Sequence, residues 1–175
     1  MGRAHPASLS SSHPSRHRLE LYALVLASVL GVLVYILERD PATVYLMPDV
    51  IGSLGLWGVA SLPFSGQIPE FVHVYICILL TALVLDRTLF IHRSITLAWF
   101  LFDFMAEMAQ HPEIAASISD RIPRWFSDVP VLQNTQSYLL GSTFDPLDLL
   151  FIFLGSIAAY LTLTFSNRLE GPRHV

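Results

Sequence analysis

Four apolar runs of 15 to 19 residues constrain this chain more than any other feature. They are LELYALVLASVLGVLVYIL (19–37), FVHVYICILLTALVL (71–85), ITLAWFLFDFMAEMA (95–109) and DLLFIFLGSIAAYLTLTF (148–165). A helix needs about 20 mainly apolar residues to cross a bilayer core. Composition points the same way. The chain is 53% hydrophobic and 14% charged, against about 25% charged for a soluble domain. The expected fold class is an all-α integral membrane protein with four transmembrane helices. A fifth apolar stretch, VIGSLGLWGVASLPF (50–64), is short and broken by Gly52, Gly55, Gly58 and Pro63. It reads as a Gly-rich re-entrant or interfacial segment rather than a span.

Residues 1–18 are polar, basic and rich in Ser, Pro and His. They cannot bury enough apolar surface to fold alone, so a disordered N-terminal tail is expected. Residues 19–166 form the expected membrane domain, and 167–175 a C-terminal tail. The first run lacks a small-x-small cleavage site ahead of ERDP, so it reads as a retained signal-anchor helix. All ten basic residues are arginine. With four spans and the N-terminus inside, Arg3, Arg16, Arg18, Arg87, Arg93, Arg168 and Arg173 fall on the cytoplasmic side. Arg39, Arg121 and Arg124 fall outside. That asymmetry predicts both termini in the cytoplasm. In the long outer loop, RIPRWFSDVP reads either as an interfacial segment or as an ordinary loop with an aromatic anchor. No basic patch beyond the short tail suggests a nucleic-acid partner.

An ionisable residue at mid-span costs about 2.5–3.5 kcal/mol on insertion scales, which makes it a functional candidate. Asp103, Glu107 and Gln110 lie at i, i+4 and i+7, a single helical stripe, and His111 follows Glu107 by four. The stripe is expected to face the bundle interior or an outward-opening cavity. His73 lies early in the second run, at the same depth as Glu107 and His111 under this topology. In GSTFDPLDLLFIFLG (141–155), Asp145 reads as a helix N-cap, Pro146 as the first helical residue, and Asp148 as a first-turn carboxylate. Both acids are also candidates for a polar pocket with His73 and Glu107. Gly155 and Ala159 form a small-xxx-small pair suited to close helix packing. The single cysteine, Cys77, has no disulfide partner and reads as a packing residue. No spacing matches a metal signature, so neither metal nor cofactor is expected.

The sequence PEFVHVYICILLTALVL, the span end FDFMAEMAQ, and GSTFDPLDLLFIFLGSIAAYL together resemble the VanZ-like family of small bacterial membrane proteins. The resemblance covers roughly residues 50–165 and falls on His73, Glu107, Gln110, Asp145, Asp148 and Gly155. It implies a compact four-helix fold in the bacterial cytoplasmic membrane and a link to the cell envelope and glycopeptide resistance. The chain departs from the pattern in its long loop before GSTFD and in Phe151 after DLL. The functional expectation is an envelope protein with a polar intramembrane pocket near the outer face. Its expected partner is a membrane lipid or lipid-linked envelope component, with a homo-oligomer as a further option. A membrane-embedded acid–base hydrolase is the first alternative, although no GxSxG-type nucleophile is evident. A structural or assembly partner is the second.

Overall fold

The computed structural model describes residues 14–38, 64, 66–85, 88–130, 132–141 and 143–169. Within them the fold is all-helical, with six α-helices and no strand. The elements are α1 (Pro14–Glu38), α2 (Ile68–Val84), α3 (Leu89–Ala109), α4 (Pro112–Ser119), α5 (Thr135–Gly141) and α6 (Pro146–Arg168). A 3-10 segment, Arg124–Asp128, lies between α4 and α5. The Gly-rich segment 50–64 lies outside the described residues except for Phe64.

Among the described residues, α3 and α6 are long and apolar enough to cross a membrane; α2 is apolar but has only 17 residues. The long helices exceed their apolar runs because caps, not hydropathy, set their ends. Thr88 Oγ1 accepts the Ile91 N–H and starts α3 within the segment expected as the loop DRTLFIHRS. Helix α1 likewise begins at Pro14, inside the expected tail. Proline suits the first turn of a helix, where its missing N–H has no intrahelical acceptor to lose.

Helix α2 is the centre of the bundle, packing against α1, α3 and α6. Its buried Val74, Ile78, Leu79 and Ala82 meet Ile95 of α3 and Ala159 and Leu163 of α6. Small residues set the spacing. A Cβ on Gly155 would lie 2.5 Å from the Phe71 carbonyl oxygen and 2.6 Å from Val74 Cγ1. The backbones of α2 and α6 therefore touch, and only glycine fits at that contact. Gly31 of α1 faces Val72 of α2 in a looser version of the same approach.

The outside of the bundle is apolar. Tyr22 and Leu26 of α1 are 70% and 72% exposed, Phe90 and Met105 of α3 are 77% and 64%, and Leu161 of α6 is 59%. Large apolar side chains exposed in such number are unusual for a monomeric soluble protein. Together with the two long apolar helices, this surface is consistent with a membrane protein.

Helix α2 runs antiparallel to α3, and α6 antiparallel to α3 as well. The start of α2, the end of α3 and the start of α6 thus meet at one end of the bundle, where hydrogen bonds join them. Phe64 shapes the entry to α2. Its φ of 60° lies in the left-handed region, unusual for a bulky residue. Its carbonyl accepts the N–H groups of Gln67 and Ile68, and its ring packs on Phe151 with centroids 5.8 Å apart.

Candidate polar site at the bundle end

Asp145 is the pivot of this end. Its Oδ1 accepts the Leu147 N–H at 2.9 Å, the N-cap interaction of α6, with Pro146 in the first turn. Its Oδ2 accepts Gln67 Nε2 at 2.8 Å from the start of α2. Its backbone N–H donates to Glu107 Oε1 at 3.1 Å. Glu107 Oε2 in turn accepts Gln110 Nε2 at 3.2 Å, one turn further along α3. Every carboxylate oxygen of Asp145 and Glu107 is thereby occupied by a protein donor. The network fastens the ends of three helices. Glu107 is 3% exposed, and donors of this kind are what keep a buried carboxylate tolerable.

Asp103 belongs to a second group, one turn deeper on the same face of α3. It is buried at 5%. Its Oδ2 lies 3.3 Å from His73 Nδ1 of α2. The contact joins a ring nitrogen to a carboxylate oxygen, and the tautomer of His73 sets which of the two donates. His73 Nε2 then faces Cys77 Sγ at 3.7 Å. The His73 side chain is 57% exposed against 6% for Asp103. A buried acid is thus coupled to an imidazole on the outer surface of the bundle. The order thiol, imidazole, carboxylate is that of a nucleophile, its base and an orienting group. Both separations exceed the roughly 2.6–3.2 Å of a proton-transfer contact.

The sequence-derived candidates therefore divide. Glu107, Gln110 and Asp145 come together. His73 pairs with Asp103 instead of with Glu107 and Asp145. Asp148 sits in the first turn of α6, its N–H donated to the Asp145 carbonyl. His111 is at the N-cap position of α4 without a side-chain cap bond, and its ring meets Phe144 edge-on at 5.4 Å. Gly155 and Ala159 are buried at the α2–α6 contact. Trp125, in RIPRWFSDVP, is 55% exposed on the 3-10 segment. Among the described residues no three His, Cys, Asp or Glu side chains converge so as to hold a metal ion.

Sequence reasoning missed Gln67 and the contact between Cys77 and His73. Gln67 stands two residues before Pro69 at a helix start, a position that could have flagged it as a cross-helix donor. Cys77 follows His73 by four, the spacing that makes helical neighbours, so this contact was legible. Also missed is a second buried polar set at the opposite end. Glu20 of α1, His92 of α3 and Ser166 of α6 are at most 1% exposed. Asn167 Nδ2 lies 3.1 Å from His92 Nδ1.

No family model matches the chain, and no curated protein or solved structure is significantly similar to it.

Proposed function

We propose that this chain is a multi-pass protein of the bacterial cytoplasmic membrane, of VanZ-like type, with α1, α2, α3 and α6 as its four spans. In this reading both termini are cytoplasmic, and the end carrying Glu107 and Asp145 faces outward. The arginine asymmetry, the apolar perimeter and the apolar character of α1, α2, α3 and α6 support it. Helix α2, at 17 residues, is short for a span, and local bilayer thinning accommodates such a mismatch at modest cost.

The proposed role is to engage a lipid or lipid-linked envelope component, with protection against glycopeptide-type antibiotics as the outcome. One observation carries it: the exposed His73 is anchored on the buried Asp103. An ionisable pair at an apolar perimeter presents a hydrogen-bonding and charged group to whatever amphiphile sits beside α2. Polar groups within spans are kept at such cost where they line a site.

A second reading is favoured by a different observation. All four carboxylate oxygens of Glu107 and Asp145 are satisfied internally, which suits a structural clasp in an assembly partner. The two readings separate in a glycopeptide-sensitive host expressing wild type, Asp103→Asn or Glu107→Gln at matched membrane abundance. Site function requires that wild type protects and Asp103→Asn, equally abundant, does not. Loss of abundance in Glu107→Gln marks the clasp. Absence of protection by wild type removes the envelope role.

A further inference from the structure

At the end of the bundle opposite Glu107, a groove of ≈ 530 Å³ opens between the start of α1 and the end of α6. Its size falls within the roughly 300–1,000 Å³ of small-ligand clefts. Leu19 and Ala23 form one wall, and Leu161 and Phe165 the other. Two threonines also line it, but their hydroxyls are committed. Thr162 Oγ1 donates to the Ala158 carbonyl at 2.9 Å and meets Tyr75 Oη at 3.0 Å. Thr164 Oγ1 donates to the Tyr160 carbonyl at 2.8 Å. The walls are therefore apolar in effect, and a sugar or nucleotide would find few donors or acceptors there.

Among the described residues, the exposed charge at the groove is of one sign. Arg168 lines the groove and is exposed, and its guanidinium makes no hydrogen bond or ion pair among the described residues. Arg18, one residue before Leu19, is exposed as well. The acidic neighbour on α1, Glu20, is 1% exposed and turned into the bundle. Nearby, Arg93 Nε donates to Tyr160 Oη at 3.3 Å, so a third cation stands at the same end. An apolar trough crowned by a guanidinium that has no ion-pair partner among the described residues complements one kind of molecule: an acyl chain bearing an anionic head.

We propose that this groove binds one anionic phospholipid, with an acyl chain along Leu161 and Phe165 and the headgroup phosphate paired with Arg168. The site is separate from the polar groups at the other end of the bundle and does not depend on their role. Arginine is the side chain best shaped for a phosphate, through its planar fork of donors. Its position at the end of α6 also complements the helix dipole, and the two roles are compatible.

The test is lipid titration of the full-length protein in neutral detergent, read by native mass spectrometry. The probes are dioleoyl phosphatidylglycerol and dioleoyl phosphatidylcholine, which share acyl chains and differ in charge. Wild type should bind the anionic lipid about fivefold more tightly, the factor for one basic residue at a lipid surface. Arg168→Gln should erase that preference while leaving phosphatidylcholine binding unchanged. Arg124→Gln removes an equal charge at the opposite end and should leave the preference intact. Ala23→Phe should fill the trough and weaken both lipids. Water-soluble glycerophosphoglycerol, the headgroup without chains, should not compete. Equal binding of both lipids by wild type overturns the proposal. So does an equal effect of Arg168→Gln and Arg124→Gln, which would mark attraction to net charge alone. Competition by the soluble headgroup would overturn the acyl-chain assignment.

Discussion

Replacing Gly155 by alanine adds one methyl group at the tightest helix contact among the glycines described. The new Cβ would stand 2.5 Å from the Phe71 carbonyl oxygen, about 0.9 Å inside the 3.4 Å at which ordinary contact begins. It would also stand 3.1 Å from Phe71 Cα. Two of its three nearest atoms are backbone, so no rotamer change relieves the clash and α2 must move away from α6. Overpacking of this kind costs about 1–3 kcal/mol, and the upper half of that range is expected because a whole helix shifts. Alanine returns about 0.8–1 kcal/mol of helix propensity, which leaves a net loss of roughly 1–2 kcal/mol. Two other glycines calibrate the measurement. Gly31→Ala meets only the Val72 side chain, at 2.9 Å, and no backbone atom, so a smaller displacement relieves it. Gly141→Ala meets nothing within 4 Å. Unfolding by sodium dodecyl sulfate from mild detergent micelles, followed by helical circular dichroism, should rank the variants. Gly155→Ala should unfold first, with Gly31→Ala and Gly141→Ala near or above wild type. If Gly155→Ala unfolds with wild type, the α2–α6 backbone contact is not a determinant of the bundle.

Asp145→Ala removes the α6 cap and strands Gln67; a loss of about 0.5–2 kcal/mol is expected from the cap alone, read in the same unfolding assay. Trp99→Phe deletes the indole N–H that donates to Thr81 Oγ1 at 2.9 Å. Its cost should fall near 0.6 kcal/mol and below about 1.7, the span seen for polar contacts between membrane helices. Cys77, the sole cysteine, is a depth gauge. In sealed vesicles it should react with N-ethylmaleimide and resist a charged, membrane-impermeant maleimide added to either side. Rapid labelling by the charged reagent would place α2 outside the bilayer.

Helix existence was legible because long apolar runs leave few ways to bury their surface. The expected runs 95–109 and 148–165 lie within α3 and α6. Ends were less legible, since hydropathy measures the middle of a helix. His92 and Arg93 looked like loop residues, yet Thr88 caps the helix ahead of them and His92 is fully buried. The stripe of Asp103, Glu107 and Gln110 followed from 3.6-residue periodicity alone. What the stripe meets did not. One turn of α3 separates Asp103 from Glu107, and that single turn sends one to His73 and the other to the start of α6. The sequence by itself determined the all-helical class, the order of its long helices and the shared face of the acidic residues, because these depend on local period and run length. Only the tertiary structure decided which partner each acid meets, how closely α2 approaches α6, and where the groove below Arg168 opens. Those depend on the rotation and spacing of neighbouring helices, which no single helix encodes.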